Sequence, residues 1–521
     1  MRFVNRIARP AAAVLCLACA LGVSAAADSR WVLITILHTN DLHGNVLPRD
    51  SAGGLARAAT LVRRIRADMP NVVLMDAGDI IHGSPEDYLG GHLATVCAMN
   101  AAGYDVAAAG NHEFDFGLPT LERVTAKAGF PVVAANVRAA GGDDWNGVKR
   151  YVVLNVDNVR VGVIGLTTLD TISLEWPGSI RDIRIQDPIE TARALVPEVA
   201  ALSDVVVVLS HLGLEQDRAL ARNVPGIDFI VGGHSHTAIE DWEWCGGTLI
   251  TQTGAYGRAL GRIDFIVRRT ENGARIWSVN GGRRRWNDLP RPPLWKSYPD
   301  SPLLPVSEDV TADESVCTAY APFRKKADAY LSGVIGWSPA GVAGRVVGAD
   351  ESASADLLAD AVRHFARSDI ALVDADAIDG RGFPAGNVTI RSAFDLIGGY
   401  TRQQIVVGRM SGEDLIRALD AEFNRKKGIN LAVSGGAVEY SVVDGVFRVR
   451  SFVVGGGPAD AKSRYTVAAQ AYVMMNLMQA VPGAVTITAE HSQTTREALV
   501  DYLRARRIIE PPEVGRVRRT E

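Results

Sequence analysis

Cysteine is scarce in this chain: 521 residues carry five, and two of them, Cys16 and Cys19, lie in an apolar stretch near the N-terminus. Cys97, Cys245 and Cys317 remain, with no Cys-x-x-Cys pair, which removes the usual spacing for a thiolate zinc site. An oxidising compartment allows one disulfide among the three, and the spacing leaves the pair open. An excess of either charge is also missing. Net charge is −4 with 22% charged residues, so no nucleic-acid polymer is expected as a partner. Beyond the N-terminus no run approaches about 18 uninterrupted apolar residues, and no transmembrane span is expected in the mature chain. Internal repeats are absent, and oligomeric state is left open.

What is present starts with an export pattern. Arg2, Arg6 and Arg9 precede the apolar residues 11–23, and Ala25-Ala26-Ala27 offers a small-residue cleavage site before Asp28. Residues 1–27 read as a signal peptide, which predicts a periplasmic or extracellular protein. The alternative is a lipoprotein anchored through Cys19, although Cys16 stands where a lipobox usually has an aliphatic residue.

A chain of this length exceeds one ordinary core, so two domains are expected. Residues 28–285 alternate short apolar runs (31–37, 72–75, 106–109, 132–135, 161–166, 205–209, 229–231 and 248–251) with amphipathic stretches such as 55–67, 118–128 and 188–202. That alternation predicts a layered α/β domain with helices covering the sheet on both faces. Prolines 290, 292, 293, 299, 302 and 305 then mark residues 286–334 as a linker with a partial helix, which Pro322 should break or kink. Residues 335–521 read as a second, mixed α/β domain, with helices at 353–366, 415–423 and 494–507 and strands at 370–373, 438–443, 446–453 and 465–469.

The first domain carries its chemistry where the apolar runs stop. Run 31–37 is followed by His38, Asp41 and His43, run 72–75 by Asp76 and Asp79, and run 106–109 by Gly110-Asn111-His112. Run 205–209 leads to Ser210-His211, and run 229–231 to Gly232-Gly233-His234-Ser235-His236. Carboxyl ends of strands are where α/β sheets bind ligands. Taken singly, each has a plain alternative: an Asp after a strand caps a turn, and a lone histidine is usually just hydrogen-bonded. Taken together they do not. Six of the ten histidines sit at these five ends, so a shared metal site is the better account. Asp41, His43, Asp79, Asn111, His211, His234 and His236 are too many ligands for one four-coordinate ion. Two ions sharing a carboxylate use them all, and such pairs, about 3.5–4 Å apart, clamp a phosphoryl displacement. Carboxylate, amide and imidazole donors suit Zn, Mn, Co or Fe.

Asp41-Leu42-His43, Gly78-Asp79, Gly110-Asn111-His112-Glu113, His211 and Gly233-His234-Ser235-His236 resemble, in order, the five motifs of calcineurin-like metallophosphoesterases. The longer strings from Leu37 to Gly44 and from Gly110 to Gly117 resemble the secreted 5′-nucleotidase branch. The resemblance implies one metal on Asp41, His43, Asp79 and His236, and a second on Asp79, Asn111, His211 and His234, with Asp79 bridging. It implies attack on phosphorus by a hydroxide held on the metals, with His112 stabilising the phosphoryl group or protonating the leaving oxygen. Asp115, three residues on, would orient His112. His38 reads as a supporting or structural residue, and His82 and His92 as ordinary loop residues.

The resemblance continues more weakly through Asn387-Val388-Thr389-Ile390, Val406-Val407-Gly408-Arg409 and Ser434-Gly435, which look like the nucleotidase C-terminal domain. There the family holds a nucleobase between aromatic rings. Asp374-Ala375-Asp376-Ala377-Ile378-Asp379 stands where the family has an arginine-bearing glycine string, and an acid there would repel a phosphate. Tyr472-Val473-Met474-Met475-Asn476 replaces another glycine-rich string, and Leu431-Ala432-Val433 supplies no stacking ring. Arg381 and Arg402 are the candidate substrate cations. The expected substrate is a small phosphate ester, foremost a nucleotide. The alternatives are cyclic nucleotides, nucleotide sugars or other phosphate or sulfur esters on the same site, or a non-catalytic binding module with a relic site.

Overall fold

The computed structural model describes residues 30–48, 52–271, 273–279, 301–345, 351–378, 381–397 and 404–520. The expected signal peptide, most of the proline-rich stretch, and Arg402 lie outside them.

Strand Arg30–Thr39 lies near the middle of the first sheet. It pairs in parallel with Val72–Asp76, which is followed by Val106–Ala108 and Val132–Val133, and antiparallel with Ala259–Thr270 on its other side. A second sheet runs in the order Glu243–Cys245, Thr248–Thr251, Phe229–Gly232, Val205–His211, Val159–Thr167 and Tyr151–Val156. The two sheets pack on each other. Ile34, Ile36, Val73 and Val106 share one buried cluster with Val163, Val207, Leu209 and Phe229. Side chains alternate across a strand, so the neighbours of these residues point the other way. Leu37, Leu74 and Ala107 meet helices Leu55–Asp68 and Ala94–Ala102, and Val206, Val208 and Ile230 meet helix Pro188–Leu202.

Each sheet is thus covered by helices on one face and by the other sheet on its second face, where one sheet between two helix layers was expected. The apolar runs look the same in either case, because a strand buried on both faces carries no mark of what buries it.

The second domain centres on a five-stranded sheet ordered Leu431–Ser434, Ile370–Asp374, Arg464–Gln470, Gln404–Ser411 and Thr486–Thr494. Helices Ala353–Ala366 and Thr495–Arg506 cover one face, and Gly412–Lys426 and Ala471–Ala480 the other. Local sequence explains the starts of three of these helices. Ser352, Ser411 and Thr494 are N-caps whose hydroxyls accept backbone N–H groups of the first turn.

Residues 301–331 are more ordered than a linker. Strand Leu303–Pro305 pairs with Ala259–Thr270, and helix Glu314–Leu331 runs on through Pro322. That helix places Val316 and Tyr320 in the first domain's core, and Ala327 and Leu331 in the second's. Direct contacts also join the domains: Tyr88 Oη lies 2.9 Å from Thr494 Oγ1, and Trp176 Nε1 donates to Glu490 Oε2 at 2.8 Å.

Candidate metal centre

Parallel pairing sends the ends of strands Arg30–Thr39, Val72–Asp76 and Val106–Ala108 out of one edge of the first sheet. Strands Val205–His211 and Phe229–Gly232 do the same in the second sheet. The loops beyond the first sheet are fastened together by their backbones. Asp41, His43 and Gly44 donate their N–H groups to the carbonyls of Gly78, Asp79 and Ile80 at 2.9, 2.9 and 3.0 Å. Gly110 must be glycine, since a Cβ there would fall 2.2 Å from Asp79 Oδ1. Asp41, His43, Asp79, His234 and His236 all adopt left-handed backbone, with φ between 46° and 75°. For residues other than glycine this conformation is uncommon and strained, and such strain gathers at functional sites.

The seven candidate ligands come together in two groups. His43 Nε2 lies 2.9 Å from His236 Nε2 and 3.8 Å from Asp41 Oδ1, and His236 Nε2 lies 3.3 Å from the same oxygen. In the second group, His211 Nε2 is 3.1 Å from Asp79 Oδ2 and 3.2 Å from Asn111 Oδ1, which is 3.0 Å from His234 Nδ1. Asp79 Oδ2 also lies 3.9 Å from His43 Nε2, so this carboxylate faces both groups. His112 stands beside them. Its Nδ1 is 2.9 Å from Asp115 Oδ2, its Nε2 is 3.9 Å from Asp79 Oδ2, and its backbone N–H donates to Asp79 Oδ1 at 3.0 Å.

Electrostatics follow from this crowding. Burial opposes a charge on His112, but the Asp115 and Asp79 carboxylates outweigh it and hold its pKa well above the ordinary imidazole value. Burial likewise opposes charge on His211, and Asp79 lifts its pKa to about 10. His43 goes the other way, lowered to about 4 chiefly by burial.

The donor set fits divalent metal ions. His211 Nδ1 lies 2.7 Å from the Ala77 carbonyl and can donate only there, which directs Nε2 at Asp79 and Asn111 oxygens. Three acceptors then converge, and something positive must stand among them. Without a cation it is a proton on Nε2, which the raised pKa of His211 registers; a metal ion takes the same place.

Of the candidate substrate cations, Arg381 is exposed and lines neither cavity that His112 borders, and Arg402 is not among the described residues. His38 is structural: fully buried, 3.0 Å from Thr251 Oγ1, with burial lowering its pKa to about 3. His92 is buried too, stacked on Phe116 with ring centroids 3.7 Å apart. The reading of His82 as an ordinary loop residue needs correcting. It is buried, its ring lies on that of His112 with centroids 4.2 Å apart, and its Nδ1 is 3.1 Å from His43 Nδ1. No local spacing marks it, because only the loop crossing brings it against His43 and His112.

Glu113, which the motif contains without a role, supports the site as well. Its buried carboxylate accepts the backbone N–H groups of Asp79, Ile80, Ile81 and Gly110 at 2.7 to 3.3 Å, tying two strand-end loops together.

Two cavities meet at His112. One, of about 520 Å³, is bordered by His43, Asp79, Asn111 and His234, with Tyr256 and Arg258 at its rim. The other, of about 380 Å³, lies between the domains and is lined by Trp176, Glu175, Asp374, Asp376, Gln470 and Tyr472.

Comparison with known proteins agrees with this layout. The family described as calcineurin-like phosphoesterase matches residues 34–238, and the one described as 5′-nucleotidase, C-terminal domain, matches residues 334–480. The chain is 38% identical over 219 residues to the snake venom 5′-nucleotidase of Gloydius brevicauda, a match covering 39% of this chain and only 37% of that protein. It is 27% identical over 499 residues to the 5′-nucleotidase of Vibrio cholerae, covering 85% of this chain and 84% of that one. A crystal structure of the 5′-nucleotidase precursor from Thermus thermophilus matches at a TM-score of 0.68 and 25% identity, over 94% of this chain and 99% of that chain. With a phosphoesterase domain and a nucleotidase C-terminal domain in sequence, the chain belongs to the 5′-nucleotidase family of calcineurin-like metallophosphoesterases.

Proposed function

We propose that this protein is an exported, dinuclear metal-dependent phosphoesterase that hydrolyses small phosphate esters of the nucleotide type. The observation that carries the reading is the position of Asp79 Oδ2. It faces His43 in one ligand group and His211 in the other, with the His112 imidazole alongside. Asp41, His43, Asp79 and His236 would hold one ion, and Asp79, Asn111, His211 and His234 the other. Two such cations clamp the phosphoryl oxygens and lower the pKa of an attacking water. The protein's own groups do the rest. Asp115 holds the His112 ring by Nδ1 and keeps it protonated, which leaves Nε2–H to donate to the phosphoryl group or to the leaving oxygen.

The leaving group would extend from His112 into the cavity between the domains. Trp176 and Tyr472 offer flat apolar surface there and Asp374 offers an acceptor, while the Asp376 carboxylate is already paired with Arg345 and Lys426. That lining suits hydroxyls and ring N–H groups better than a second phosphate, and supports an altered nucleotide clamp. Export is inferred from the leader pattern; among the described residues, no helix is long and apolar enough to cross a membrane.

The test is phosphate release by metal-stripped protein resupplied with Mn²⁺, comparing kcat/KM for AMP and for a simple aryl phosphate. Metal-restored hydrolysis of both, with modest preference between them, is expected. No hydrolysis of either defeats the phosphoesterase reading, and strong selectivity for AMP defeats the altered clamp.

A further inference from the structure

His82 enters the site by way of the backbone. The hydrogen bonds that fasten residues 41–44 to residues 78–80 carry the following turn back over His43. Gly83 has a φ of 116°, and a Cβ on it would lie 2.3 Å from the His43 carbonyl oxygen, so the chain passes in direct contact with that residue. The imidazole of His82 is left between two others. Its edge meets His43, with ring planes at 86°, and its face covers His112, with ring planes at 20°.

The protons on these rings can be assigned. If His43 holds a metal, its Nε2 lone pair must point inward, toward His236 Nε2 at 2.9 Å and the carboxylates of Asp41 and Asp79. Its proton is then on Nδ1, and the atom facing that N–H, 3.1 Å away, is His82 Nδ1. Two protons do not fit between two nitrogens at that distance. His82 therefore accepts there and carries its own proton on Nε2. Metal-bound histidines commonly donate their second N–H to a carboxylate, carbonyl or water, which fixes ring orientation and tautomer. His211 follows that rule through the Ala77 carbonyl. His43 has an imidazole in the same position.

We infer that His82 is a positioning residue that acts on both halves of the site: it fixes the metal-holding tautomer of His43 by accepting its Nδ1–H, and it braces the His112 ring by stacking on it. The inference rests on the dinuclear reading above. It separates His82 from the seven ligands, since its Nδ1 is used by His43 and its Nε2, which has no hydrogen-bond partner among the described residues, carries the proton.

The two contacts can be uncoupled. His82→Ala removes both, whereas His82→Gln restores a carbonyl oxygen that can accept the His43 N–H but not the stacked ring. Mn²⁺ is titrated calorimetrically into the metal-stripped full chain, and kcat and KM are measured at saturating Mn²⁺. Wild type is expected to bind two ions. His82→Ala should weaken one of the two sites about 10–100-fold, leave the other unchanged, and lower kcat more than KM changes. His82→Gln should recover the weakened site while kcat stays low. Two sites of wild-type affinity in His82→Ala, or equal weakening of both sites, overturns the inference. Failure of His82→Gln to recover the weakened site also overturns it, because the hydrogen bond would not be what matters. A wild-type chain that binds no Mn²⁺ would remove the dinuclear reading itself.

Discussion

In the first domain, seven candidate ligands leave the ends of five strands in two packed sheets, and each is a residue type that metals use. In the second, residues lining the cavity shared with His112 also sit at strand ends: Asp374 and Asp376 at the end of strand Ile370–Asp374, and Gln470 to Tyr472 at the end of strand Arg464–Gln470, which runs parallel to it. The same rule of parallel sheets places both sets, but they face different demands. A metal constrains the chemical identity of its ligands, so histidine and aspartate recur at set places. A leaving group constrains mainly shape and hydrogen bonding, which many side chains satisfy. The edge with the candidate ligands therefore carries a recognisable string, and the edge across the cavity carries departures from one.

Asp79→Asn strikes at the shared ligand. Only Asp79 faces both ligand groups, so this change should cause the greatest loss of phosphate release and bring bound Mn²⁺ below two per chain. Retention of two ions with activity near wild type would show that Asp79 is not shared. His112→Ala comes next. It should lower kcat about 10²–10⁴-fold while two ions stay bound; loss of metal instead would place His112 among the ligands.

Buried acids sharpen the contrast. In the first domain Glu113 has four backbone N–H partners, and Glu113→Ala would leave several of them unpaired. It should cost at least about 2 kcal/mol in urea unfolding, and a change below about 0.5 kcal/mol would contradict its role as a tie between loops. In the second domain Asp356 is buried beside Glu351 and Asp360; burial raises its pKa to about 8, despite Arg516 nearby. A folded-state pKa above the unfolded value means its contribution is fully present below about pH 4 and is lost as pH rises through about 8. Tm should fall more steeply between about pH 4 and 8 (the window between the unfolded and folded pKa values) in wild type than in Asp356→Asn. Parallel profiles would contradict the assignment.

The same division separates what the residues encode locally from what only the fold brings together. Strand ends bearing Asp41, His43, Asp79, Asn111, His211, His234 and His236 could be read because apolar runs stop abruptly at metal-competent residues. The stacking of two sheets could not, since Ile34 and Leu37 are equally apolar although one faces a sheet and the other a helix layer. Pro322 was expected to end or kink a helix. The helix continues because burial of Tyr320, Ala327 and Leu331 on either side of it outweighs the one lost hydrogen bond. His82 and Glu113 were visible as residues but not as parts of the site. Their roles arise from loop crossings that bring residues 79–83 against residues 43 and 110–113, and no local spacing encodes such a crossing.

On the proposed function, the seven strand-end donors form one two-ion centre bridged by Asp79. Anomalous diffraction from crystals of the full chain grown with Mn²⁺ tests it most directly. Two peaks about 3.5–4 Å apart are expected, one against His43 and His236, the other against His211 and His234, with Asp79 reaching both. A single peak, or peaks held by side chains outside this set, would contradict it.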